Sequence, residues 1–381
     1  MNVTTNTIRL NHQTVTFNHS ERFIEGWYWL IPSHKVRNSQ VKAVSILGRE
    51  LVIYRGQNGK LACFDAYCPH MGAHLAKGKV EENGLRCCFH HWKFNSNGTC
   101  TEIPYLGKNI PIQLKNWHVA EKYGMVWIWT GDTPKQSLPL IPELEHETGN
   151  ILSRKRNQNN ESNWISYAYG DYFEVSCHPH IVMIHAIDSH HFNTNNKLSL
   201  ELILNKKQIN ENVIVFSNIS RSREDYFWGK LIHYFYKSVI TYSICSWYGS
   251  TTIVTLGPDF LHFYIIFTLR LNAEGETEGC SLFVTKKRRG LFGWILNKFI
   301  LWLTKMIDNY SSIYQSQIFE HINFNLKTPI KADHAILQFI NYVEKQKTRS
   351  WGSWVIFEDT SRRVKKEEEK NMWSSKGEGT D

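Results

Sequence analysis

Apolar and polar positions alternate in two different ways along the chain. Between Val41 and Cys68 the apolar residues fall in short blocks, VKAVSILG, ELVIYRG and KLACFDAYC, broken at Gly48, Gly56 and Asn58-Gly59. Short β-branched and aromatic blocks separated by Gly and Asn predict antiparallel strands joined by tight turns. The alternation continues from Asn116 to Trp129 and stops at Gly131-Asp132. An all-β unit is therefore expected over residues 21–150, with TPKQSLPLIPELE (133–145) as a proline-bearing linker at its end. RFIEGWYWL (22–30) is expected to pack on this unit, and the polar, Asn/Thr-rich residues 1–20 to form a loose arm.

The second half reads differently. A helical segment is expected around 176–195, followed by strand blocks SLELILN, NVIVFSN, SVITYSICSWYG, TTIVTLG, FLHFYIIFTLRL and CSLFVT, and then helices to about residue 346. Antiparallel strands followed by long helices predict an α+β domain over 151–348. Residues 349–381 are charged, with Glu367-Glu368-Glu369 between Lys366 and Lys370, and are expected to be disordered.

Composition adds three constraints. A chain of 381 residues with 42% hydrophobic content can bury two cores. The net charge of 44 − 35 = +9 is locally concentrated, so nucleic-acid binding is not expected. There are eight Cys, of which six (Cys63, Cys87, Cys100, Cys177, Cys245 and Cys280) show no paired spacing, and the N-terminal MNVTTNTIRLNHQ lacks the apolar core of a signal peptide. Free thiols point to a reducing, cytoplasmic setting.

The candidate chemistry is concentrated between Cys68 and His91. Cys68-Pro69-His70, seventeen residues and then Cys88-Phe89-His90-His91 give C-x-H, a spacer and C-x-x-H. Zinc sites with two Cys and two His usually pair C-x₂₋₄-C with H-x₃₋₅-H. Here each segment offers one Cys and one His, the arrangement of a Rieske [2Fe–2S] centre, in which two Cys hold one iron and two His the other. Neutral imidazoles in place of thiolates set the potential at roughly −150 to +300 mV. Cys68, His70, Cys88 and His91 are the expected ligands, with Cys87 and His90 as neighbours in the wrong register. Trp92 and Phe94 are expected to shield the cluster.

The run CPHMGAHLAKGKVEENGLRCCFHHWKFNSNGTCTEIPY (68–105) resembles the Rieske domain of the Rieske non-haem iron oxygenases, on the branch of 3-ketosteroid 9α-hydroxylase and the cholesterol 7-desaturases. The resemblance implies a second domain of helix-grip, START-like fold that carries mononuclear Fe(II) on two His and one carboxylate. Its motif is similar to D-x-x-H-x₄-H followed far downstream by D-x-x-I-[WL]-E. On that pattern Asp188 is the bridging carboxylate and His191 the first ligand, but the second ligand position is Asn196 and the carboxylate position is Gln315. Amides bind iron weakly, and three readings stay open. A neighbour substitutes, with His185 the nearest, His180 and His190 weaker, and Glu320 or Asp308 as carboxylates. Alternatively, iron is held unconventionally, or it is lost. By this resemblance Asp188 would link His91 of one subunit to His191 of the next, in a homotrimer.

Residues 286–307 form a basic, aromatic segment. Lys286-Lys287-Arg288-Arg289 precede LFGWILNKFILWLTKMI, and Ser281–Lys305 contains six basic residues and no acidic one. Apolar residues recur at helical spacing, but Asn297 and Lys298 make the run short for a membrane span. A core-packed helix, a roof over an apolar pocket, and an amphipathic helix on an anionic membrane surface all fit. No flavin or nicotinamide fingerprint is present. The resemblance thus implies an oxygenase component fed by an NAD(P)H-dependent reductase, with or without a ferredoxin, and using O₂ to hydroxylate or desaturate an apolar small molecule. The competing reading is a Rieske electron carrier or redox sensor with a vestigial iron pocket.

Overall fold

A computed structural model describes residues 16–351, apart from 107–110, 135–137, 143, 145–163, 196–203, 221–239, 259–261 and 320. In chain order the first half holds β1 (Phe23–Ile24), β2 (Trp27–Pro32), β3 (Val41–Ile46), β4 (Arg49–Arg55), β5 (Leu61–Asp65), β6 (Lys79–Glu81), β7 (Gly84–Arg86), β8 (Lys93–Phe94), β9 (Cys100–Glu102), β10 (Asn116–Trp117), β11 (Val119–Lys122) and β12 (Met125–Trp129). They form sheets in the orders β10-β5-β4-β3, β11-β12-β2 and β6-β7-β8-β9.

Period-2 alternation explains how so small a unit is filled. Successive strand residues face opposite sides, and β4 is apolar on both. Leu51 and Ile53 enter one core with Cys63 and Trp117, while Val52 and Tyr54 enter another with Phe64, Cys68, Leu85 and Cys87. The same device operates in β2 and β12. Tyr28, Leu30, Val126 and Ile128 face the first of these cores, whereas Trp27, Trp29, Trp127 and Trp129 face the core of the second half. The RFIEGWYWL stretch is thus a layer between the two halves rather than a cover on one of them.

The second half holds β13 (Ile165–Val175), α1 (Pro179–Ile187), α2 (Ser189–Asn195), β14 (Asn205–Asn210), β15 (Val213–Ser220), β16 (Ile240–Trp247), β17 (Thr251–Pro258), β18 (Phe263–Leu271), β19 (Thr277–Lys286), α3 (Gly290–Phe319), α4 (His334–Glu344) and β20 (Thr348–Arg349). β13 to β19 make one seven-stranded antiparallel sheet, ordered β13-β19-β18-β17-β16-β15-β14, and α3 packs over β13, β18 and β19. This is the expected α+β arrangement, a large sheet gripping a long helix. The block SLELILN lies mostly outside the described residues, and the observed strand there is Asn205–Asn210.

Two expectations at the termini change. Thr16 and Phe17 are buried, and their N–H groups donate to the Glu344 carboxylate, Phe17 at 2.8 Å. The last residues of the expected arm are therefore docked on α4. At the other end β20 pairs with β1, and the Trp351 indole N–H donates to the Leu47 carbonyl at 3.0 Å. The expected tail beyond Trp351 lies outside the described residues.

A buried polar group also joins the halves. The Arg270 guanidinium lies 3.9 Å from the Trp29 ring centroid, donates to the Trp29 carbonyl at 2.7 Å and pairs with Glu278 at 2.7 Å. Tyr172 donates to the other Glu278 oxygen at 2.7 Å.

Candidate metal centres

Two loops at one end of the first half present the Cys and His residues. In the first, Tyr67 bridges to His74, the Cys68 N–H donates to the Ala73 carbonyl at 2.9 Å, and the Gly72 N–H to the Cys68 carbonyl at 3.0 Å. Gly72 takes φ +72, which a residue without Cβ adopts at no cost. In the second loop, between β7 and β8, the Cys87 N–H donates to the Trp92 carbonyl at 2.9 Å.

The alternation of β7 runs through this second loop and decides which side chains meet. Leu85 and Cys87 are buried, while Arg86 points outward to Glu81 and Glu102. Cys88 is therefore exposed. Cys87 makes a side-chain hydrogen bond with Cys68. The His70 and His90 ring centroids are 4.5 Å apart, and the Trp92 indole stacks on His70 at 4.4 Å and 10°. His91 is exposed, with φ +59 where the loop turns back, and its carbonyl accepts from Arg86 at 2.7 Å.

The structure thus brings together a set shifted by one residue from the expected one. Cys88 and His91 do not join Cys68 and His70; Cys87 and His90 do. The C-x-x-H spacing is kept, read as Cys87-Cys88-Phe89-His90. The missed signal was strand parity, because Gly84-Leu85-Arg86-Cys87 puts Cys87 on the same face as Leu85.

The donor set fits a diiron cluster. Burial, with the Cys87 thiol beside it, pushes the Cys68 thiol up to about 11, so without a cation Cys68 stays protonated. His90 Nδ1 is buried with no hydrogen-bond partner. A buried, unpartnered nitrogen beside a second imidazole and two facing thiols is costly unless a metal takes its lone pair.

The second candidate centre lies where α1 meets α2. Asp188 is the break between them, and its carboxylate accepts the His191 N–H at 2.9 Å, capping α2. This brings His185, on the last turn of α1, to His191, with ring centroids 4.3 Å apart. The Phe319 ring closes over His185 at 5.2 Å. Burial first, then the neighbouring His191, lowers the His185 imidazole to about 4, with Asp188 opposing. A neutral imidazole keeps a lone pair for a metal.

The other substitutes do not converge on this pair. His180 stacks on Phe17 at 5.4 Å and its Nδ1 accepts the Asn18 N–H at 3.2 Å. His190 is exposed. Asp308 is buried against Ser281 on β19, its carboxyl pushed up to about 6 by burial, and stands about 16 Å along α3 from Phe319. Gln315 lies on α3 one turn before Phe319, but its side chain, Asn196 and Glu320 lie outside the described residues. Among the described residues no three His, Cys, Asp or Glu converge as a metal-binding group. Described side chains thus supply two imidazoles, and a complete two-His, one-carboxylate triad is not among them.

The Rieske [2Fe-2S] domain family matches residues 26–119, the segment that carries both loops. This part of the chain is a Rieske domain. The 3-ketosteroid-9-alpha-monooxygenase oxygenase component of Rhodococcus rhodochrous is 36% identical over 128 residues, 32% of this chain and 33% of that one. The cholesterol 7-desaturase of Bombyx mori is 33% identical over 182 residues, 46% of this chain and 36% of that one. These matches span about a third of the curated relatives' length. Among solved structures, apo dicamba monooxygenase aligns with TM-score 0.57 at 16% identity, covering 85% of this chain and 97% of that one. NdmB of Pseudomonas putida CBB5 aligns with TM-score 0.58 at 14% identity, covering 84% and 89%. The likeness extends past the Rieske domain, so the chain has the two-part fold of a Rieske oxygenase.

Proposed function

We propose that the chain is the oxygenase component of a Rieske non-haem iron system, acting on an apolar small molecule with O₂ and electrons from an NAD(P)H-dependent reductase, directly or through a ferredoxin. One observation carries this reading: a Rieske domain whose paired thiols and imidazoles stand on the same chain as a half-buried pair of histidines, His185 and His191, with ring centroids 4.3 Å apart, in the fold of an oxygenase. Cys68 and Cys87 would hold one iron of the cluster, and His70 and His90 the other. When bound, the cluster supplies one-electron transfer, and an iron at His185 and His191 supplies O₂ activation.

The chain's own groups set the conditions for that chemistry. Trp92 fixes the plane of His70 by stacking. Phe89 lies 3.8 Å from His90 and covers it on the solvent side. Asp188, by capping α2, holds His191 against His185. Phe319 excludes water from His185. His185 takes the part that Asn196 cannot fill, and Gln315 contributes at most a neutral oxygen. Asp188 also suits a link to a Rieske histidine of a neighbouring subunit, which favours a homotrimer. A reducing cytoplasm suits eight free thiols. Among the described residues no helix is long and apolar enough to cross a membrane.

Iron analysis after anaerobic reconstitution tests the reading. Three irons per chain, falling to two in His185→Ala with the visible spectrum of the cluster unchanged, are expected. Two irons in both proteins would instead make the chain an electron carrier with a vestigial pocket.

A further inference from the structure

The first half of α3 is inverted in polarity. Toward the sheet it buries Asn297, Thr304 and Asp308 beside Ile300 and Leu301. On the outer side Phe292, Ile295, Phe299, Trp302 and Met306 recur at helical spacing and are 50 to 90% exposed. Of the seventeen large apolar side chains exposed among the described residues, eight lie between Leu291 and Met306. That concentration makes one patch rather than scattered surface apolars, and such patches mark interaction surfaces.

The charge around the patch selects its occupant. Lys286, Lys287 and Arg289 are exposed at the N-terminal end of the helix, and the Lys298 ammonium lies 4.8 Å from the Trp294 ring. Lys305 pairs with Asp171 at 3.1 Å. From Ser281 to Lys305 there are six basic residues and no acidic one. A second copy docking through the same face would set these cations against each other. A bilayer with anionic headgroups complements both the aromatic stripe and the basic run. The helix includes Asn297, Lys298 and Lys305 and does not qualify as a span, so it lies along the surface.

We propose that residues 286–306 dock on an anionic membrane surface, with Phe292, Ile295, Phe299, Trp302 and Met306 below the headgroups and Lys286, Lys287 and Arg289 at the phosphates. The metal centres play no part in this surface. Docking there would place an enzyme of apolar substrates at the phase in which such substrates dissolve.

Co-sedimentation of the full chain with phosphatidylcholine vesicles, with and without phosphatidylserine, tests the proposal. Binding is expected on the phosphatidylserine vesicles and should weaken with added salt. Phe299→Glu with Trp302→Glu should lower the partition coefficient about a hundredfold or more, since each apolar side chain loses its transfer energy. Lys287→Gln with Arg289→Gln should lower it by roughly thirtyfold and flatten the salt dependence. Because these side chains are exposed, circular dichroism and the thermal midpoint should not move in either variant. Absence of vesicle binding, or binding indifferent to phosphatidylserine, would overturn the proposal. So would self-association in the ultracentrifuge that Phe299→Glu with Trp302→Glu abolishes in a protein that ignores vesicles.

Discussion

His91 occupies a left-handed backbone conformation at φ +59, where a β-carbon is a burden and glycine is at ease. His91→Gly is therefore expected to keep the cluster and to leave stability unchanged or raise it by about 0.5 kcal/mol, read by visible absorbance and thermal unfolding. The sequence offered two cysteines and two histidines in adjacent positions, and composition cannot choose between them. Geometry can, because only Cys87 and His90 face inward. Protonation gives a second test at this scale. Burial lowers His185 and His178 to about 4 and His180 well below its usual 6.5. A lowered histidine binds fewer protons folded than unfolded. No penalty applies above pH 6.5; stability falls as pH drops from 6.5 toward 4, by about 3 kcal/mol each for His178 and His185, and levels off below the folded value, with His180 adding a loss of the same sign. Urea unfolding from pH 7 to 4.5 should show this loss, and His178→Phe with His180→Phe should flatten it.

Elements were legible where one period dominated. β3 to β5, β11 and β12, and the five strands β15 to β19 announce themselves as apolar blocks. β6 to β9 are too short to show a period, β14 is polar, and β13 spreads its alternation over Tyr and Gly. Residues 16–20, the described end of the arm, depart from the expectation for a physical reason. Asn/Thr-rich segments usually stay solvated, but here Phe17 is an anchor that stacks on His180, and Glu344 takes the two N–H groups beside it. Phe17→Ala is expected to cost about 3 kcal/mol of stability in urea titration, where a loose arm would cost nothing. The basic, aromatic segment was legible as a helix, but not which of its faces would be buried. Spacing alone cannot say that Asn297, Thr304 and Asp308 turn inward.

For the whole molecule, the two halves share one core. Trp27, Trp29, Trp127 and Trp129 belong to the first half by sequence and pack with the second. Arg270 crosses the same boundary on Trp29 and Glu278. Thermal unfolding is expected as a single transition, and Arg270→Ala should lower stability by about 3–5 kcal/mol, because it leaves Glu278 buried without its cation. A second, separable transition for residues 21–150 would contradict the shared core. The identity of the molecule rests on its first half, and the measurement that bears on it most directly is iron and acid-labile sulfide per chain in four single variants. Cys87→Ala and His90→Ala are expected to lose the cluster, and Cys88→Ala and His91→Gly to retain two irons and two sulfides. Retention in Cys87→Ala together with loss in Cys88→Ala would contradict the assignment.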